Sequence, residues 1–84
     1  MPYRLIYLAP GSYDIELDGE IVGSLICWPP SGRAGSRWIA QLLSEDGPRP
    51  TPFVAVEHAF PTFEGVLEWL GDPEVNRPRG MSRV

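Results

Sequence analysis

The chain contains no lysine: all seven of its cationic side chains are arginines, set against eleven carboxylates for a net charge of −4. A high genomic GC content produces such a bias, as does a use for arginine's rigid donor fork. The missing lysine also excludes a Walker-type phosphate loop in the glycine-bearing stretch Ser31-Gly32-Arg33-Ala34-Gly35-Ser36-Arg37, which leads into a strand pattern rather than a helix. Cysteine is nearly absent. Cys27 stands alone, so no intrachain disulfide forms and a zinc site would need three other ligands. His58 is the single histidine and has no nucleophile tied to it by spacing. Catalytic residues are therefore expected to be none, with neither metal nor cofactor.

Long apolar runs are missing too. No stretch approaches the roughly 20 residues that span a bilayer. The first residues lack the basic and long apolar regions of a signal peptide. The expectation is a reduced cytoplasmic protein with no membrane partner. Eighty-four residues make one domain near the lower end of what folds alone, and an apolar content of 43% is too high for disorder.

What is present is acidic and β-forming. Residues 1–72 carry ten acids and four arginines, a net −6, whereas residues 73–84 carry one acid and three arginines, a net +2. A body this acidic repels phosphate backbones and favours basic partners. Tyr3 to Leu8 is rich in β-formers, and Ala9-Pro10-Gly11-Ser12 fits a type II turn. Tyr13 to Val22 then alternates carboxylate with aliphatic residue around Asp18-Gly19, the pattern of an acidic hairpin. Two registers fit this hairpin. A two-residue loop pairs Leu17 with Glu20 and mixes polar with apolar on both faces. A three-residue loop pairs Glu16 with Glu20 and Ile15 with Ile21, placing Tyr13, Ile15, Ile21 and Leu25 on one face. The second is the expected register. Asp14, Glu16, Glu20 and Ser24 then share the other face.

A long loop from Trp28 to Ser36 follows, then a strand over Arg37–Leu43, a proline-rich loop over Ser44–Pro52, and a strand over Phe53–Glu57. Thr62 is a candidate N-cap after Pro61. Phe63, Val66, Leu67 and Leu70 make one apolar stripe at helical spacing, with Gly71 and Pro73 as the stop. Glu74 to Val84 shows no periodicity. The expected organisation is one compact α+β domain over 1–72 and a flexible tail over 73–84. The fold class is an antiparallel meander of four to five strands with one C-terminal helix packed on one face.

One short helix covers one face of a sheet, yet several strands are apolar on both. Ile6, Leu8, Val22, Ile26 and Ile39 fall on the side away from the helix. Leaving about four such side chains in water forgoes roughly 1.5–3 kcal/mol each, comparable to a small domain's whole stability. A second copy, a partner protein, or the two long loops would have to cover them. Asp14, Glu16, Leu17, Asp18, Glu20, Val22 and Trp28 are the candidate partner-binding residues. Their carboxylates would pair with cations on a basic protein and steer its approach. The same carboxylates sit on a strand that splays neighbours to opposite faces, which does not suit a calcium loop.

Two resemblances bear on function. Gly35-Ser36-Arg37-Trp38-Ile39-Ala40, followed by Phe60-Pro61-Thr62-Phe63-Glu64, resembles the plant ethylene-response-factor domain and the arm-binding domain of tyrosine integrases. Both are DNA-binding modules of three strands packed on a helix. That resemblance implies a small DNA-binding regulator acting through Arg33 and Arg37. Those modules carry several cations on their DNA-facing strands, and here Arg37 is alone in the matching strand beside an acidic hairpin. The chain also resembles, as a class and without a shared motif, the small acidic inhibitors encoded by phages, anti-CRISPR proteins among them. This resemblance implies a non-enzymatic protein that docks on a basic surface of a nucleic-acid-binding effector complex in the host-cell cytoplasm. A homodimeric accessory subunit is the third reading.

Overall fold

A computed structural model describes residues 3–29 and 35–76. Five strands run in sequence, each antiparallel to the last: β1 (Tyr3–Ala9), β2 (Ser12–Leu17), β3 (Glu20–Trp28), β4 (Arg37–Leu42) and β5 (Glu57–Phe60). The helix α1 (Phe63–Trp69) follows, and then a short strand β6 (Glu74–Asn76). The sheet order is β5-β4-β3-β2-β1-β6, with β6 parallel to β1. The fold is α+β: a mostly antiparallel sheet with one C-terminal helix against it. No helix among the described residues is long and apolar enough to cross a membrane.

The helix ends follow from local chemistry. Thr62 Oγ1 accepts from the Gly65 N–H at 3.0 Å. At the other end Gly71 takes φ +84°, its N–H bonding to the Glu68 carbonyl while the Asp72 N–H bonds to the Leu67 carbonyl. This pair of bonds is a Schellman stop, open to glycine because it carries no Cβ to clash at positive φ. Val66 and Leu70 are buried, and Phe63 stacks against Tyr13 and Trp38.

Three expectations are corrected. The hairpin has the two-residue loop: Leu17 pairs with Glu20 across Asp18-Gly19, which take φ 53° and 86°. Positive φ at both positions marks the turn whose twist matches two right-twisted strands. The mixing of faces this register threatens is repaired two residues later by a β-bulge. Glu16 pairs with Ile21 and Ile15 with Gly23, so Val22 is the extra residue and the alternation is reset. Ile21 consequently lies exposed, outside the core.

The strand expected over Phe53–Glu57 begins only at Glu57. Phe53 leaves the ladder to fill the core against Tyr3 and Trp69, and Val54 points to solvent at 79% exposure. His58 Nε2 accepts from the Val54 and Ala55 N–H groups at 3.3 and 3.2 Å, giving this turn the partners a ladder would have supplied.

Within the expected tail, Glu74–Asn76 form β6, pairing Val75 with Leu5, and Val75 packs on the core. Three residues are too few to show a period. Residues 77–84 lie outside those described.

The core occupies one side of the sheet. Leu5, Ile15, Leu25, Ala40 and Val66 are fully buried, and α1 together with Phe53 from the 43–56 segment covers them. On the other side, the outer face, Ile21, Ile26 and Trp28 are exposed.

Candidate functional site

Cross-strand pairing arranges the outer face in rows. One row holds Arg37 beside Trp28, the next Ala59, Ile39, Ile26 and Ser12, and the next Glu57, Gln41, Ser24, Asp14 and Ile6. Nearest the hairpin turn, Glu16 sits between Ile21 on β3 and Arg4 on β1, with Glu74 of β6 beyond. Trp28 is 62% exposed and Ile26 36%. Ile26 therefore stands partly in water in the middle of this face, and Trp28 stands in water at its end beside Arg37.

The expected acidic face is divided. Asp14 and Glu16 lie on the outer face. Asp18 is in the turn. Glu20 is paired with Leu17, whose side chain packs on the core, so Glu20 lies on the helix side. Glu16 is also already engaged. Its Oε1 lies 2.9 Å from Arg4 Nε and its Oε2 accepts from Arg4 Nη2 at 3.4 Å. The closer contact is a charge contact that misses the N–H direction, leaving that N–H without a hydrogen-bonded partner.

What the hairpin end gains is a cleft of about 350 Å³ between the turn and the link from α1 to β6. Glu16, Asp18, Asp72 and Glu74 line it, with Arg4 as the one cation. Asp72 and Glu74 were not singled out by sequence, because only the Schellman turn and the parallel strand bring them back beside residue 16. Among the described residues no three His, Cys, Asp or Glu side chains are grouped to hold a metal ion.

The other expected contacts are scattered. Leu17 packs against the core at the foot of the hairpin. Val22, in the bulge, lines a small groove with Leu43, Pro48 and Pro50, and its carbonyl accepts from the Leu43 N–H at 3.0 Å. Trp28 stands at the far end of β3, roughly 26 Å from Glu20 at about 3.3 Å per residue. One compact contact cannot join the tip to Trp28. The candidate residues thus divide between the two ends of the sheet, with Leu17, Val22 and most of the carboxylates toward the hairpin turn and Trp28 beside Arg37 at the far end.

Arg37 is exposed beside Trp28, and Arg33 lies outside the described residues. The segment resembling a three-stranded DNA-binding module contributes only β4 and β5 before α1, within a six-stranded sheet. Cys27 is a half-buried free thiol whose Sγ donates a weak hydrogen bond to the Pro29 carbonyl at 3.8 Å. His58 lies against the rings of Phe53 and Trp69, and its Nε2 is occupied by the two backbone donors.

Comparison of the chain with protein-family models, with curated proteins and with solved structures finds no match in any of the three.

Proposed function

We propose that this protein is a non-enzymatic binding module that presents its acidic hairpin end to a basic protein surface, and that the surface belongs to a nucleic-acid-binding effector complex. This is the mode of a phage-type, anti-CRISPR-like inhibitor acting in the host-cell cytoplasm. The reading rests chiefly on the cleft at the hairpin turn, where four carboxylates face one guanidinium that is already taken by Glu16. The surplus charge attracts cations, and a basic groove that normally holds nucleic acid is the protein surface richest in them. Charge also argues against direct DNA binding. The chain carries eleven carboxylates against seven arginines, a net −4, and such a balance disfavours a phosphate backbone.

The test is inhibition of target-DNA loading by purified CRISPR effector complexes. Wild type is compared with a variant carrying Asp18→Asn, Glu20→Gln, Asp72→Asn and Glu74→Gln. These changes remove charge while keeping shape, and asparagine tolerates the positive φ of Asp18 and Asp72. We expect wild type to block loading on at least one complex and the variant to be at least tenfold weaker. Undiminished inhibition by the variant, or no inhibition of any complex, overturns the proposal. Duplex DNA binding by the protein itself, weakening steeply with salt in a gel shift, would favour the regulator instead.

A further inference from the structure

We propose that the outer face of the sheet is a homodimer interface, in which a second copy stacks face to face about a two-fold axis along the Ile39–Ile26 row. The occupant follows from the charge layout. Arg37 and Trp28 lie on one side of that apolar row, and Glu57 and Asp14 on the other. A two-fold axis along the row brings Ile26 and Ile39 onto their own copies. It also exchanges the flanking rows strand for strand, so Arg37 of one copy faces Gln41 of the other with Glu57 one strand outward, about 4.8 Å to the side and within reach of the guanidinium, and Trp28 faces Ser24 with Asp14 one strand outward. A face of one sign would repel its copy, whereas this one is complementary to itself, as a closed two-fold contact requires. Aligned stacking of two sheets at about 10 Å is the ordinary way two such faces bury their side chains.

The size of the face sets the strength. The five gaps between six strands, at about 4.8 Å each, and a length of roughly 20 Å give a face near 480 Å² per copy, about 960 Å² in all, just under the ~1,000 Å² of a stable interface and in the range of transient ones. The dimer is therefore weak and reversible. It leaves the acidic hairpin end free, so the two surfaces operate independently.

Sedimentation velocity on the full chain between about 5 μM and 1 mM tests this. The expected result is a mass rising with concentration toward twice 9.3 kDa. Ile26→Glu should hold the protein as monomer throughout, with its circular dichroism unchanged. Arg37→Glu and Glu57→Arg should each weaken the dimer at least tenfold, and the double exchange should restore it. Within one chain these two side chains are about 13 Å apart along the strands, too far to pair, so restoration reports a contact between copies. A monomer at 1 mM overturns the proposal. So does a dimer in which the double exchange restores nothing, and that result stands even if Ile26→Glu fails to fold. Failure here leaves the inhibition assay unaffected, because the variants compared there differ only at the hairpin end.

Discussion

The Tyr3 hydroxyl donates to the Thr51 carbonyl at 2.8 Å, tying the first strand to a loop 48 residues away. Burial raises the Tyr3 phenol above its ordinary value, since the charged form would have to shed water. Tyr3→Phe should cost about 1 kcal/mol near neutral pH. The sign of the pH effect follows. The folded state favours the neutral phenol, so this stability is complete below about pH 10 and declines as pH rises through the raised folded value. Urea titrations at pH 8 and pH 11 should show a smaller alkaline loss for Tyr3→Phe than for wild type.

Gly23 faces Ile15 beside the bulge, and a Cβ there would collide with the backbone oxygen of Gln41 on β4. Backbone held in a ladder cannot step aside as a flexible side chain does. Gly23→Ala should cost about 2 kcal/mol or more, read as a lowered denaturation midpoint with an unchanged slope.

Gly19 presents a different case. It has open space where a Cβ would go but a φ of +86°. Gly19→Ala should therefore cost only the conformational penalty, about 1 kcal/mol, while Asp18→Asn should be nearly neutral. Thermal melts of the two variants separate turn conformation from turn charge.

His58 supplies the only side-chain acceptor for the Val54 and Ala55 N–H groups among the hydrogen bonds of the described residues, which puts its proton on Nδ1. His58→Phe keeps an aromatic ring against Trp69 but frees both donors. Amide exchange at Val54 and Ala55 should accelerate, and stability should fall by about 1–2 kcal/mol.

The Arg4–Glu16 pair is half in water, with 42% and 17% of the two side chains exposed. Glu16→Gln should cost less than about 1 kcal/mol, and 0.5 M NaCl should remove most of the difference. A large loss would mean that Glu16 does more for the sheet than balance Arg4.

Features set by adjacent residues were legible in the sequence. Thr62 and Gly71 mark the two ends of the helix, the Phe63 stripe gives its buried side, β-forming content marks β1, and alternation around Asp18-Gly19 marks β2 and the start of β3. What escaped depended on residues distant along the chain. Asp18-Gly19 permits two loops, and only the bulge at Val22, stabilised by the fit of Gly23 against β4, makes the shorter one compatible with a sorted core. Phe53 looks like a strand residue locally, yet the space between Tyr3 and Trp69 draws it out of the ladder. The candidate site shares this limit. Glu16 and Asp18 announce themselves by alternation, whereas Asp72 and Glu74 join them only through the return of the chain along β1.

That return spans about seventy residues, from Arg4 to Glu74. Until it is made, β1 exposes a row of unsatisfied backbone donors and acceptors along its free side. β1 is thus covered by three residues that follow almost everything they stabilise, and the sheet's free edge passes to the short strand β6. A chain severed after Pro73 would lose Val75 from the margin of the core and leave the longer strand β1 as an open border, and would be expected to polymerise through it.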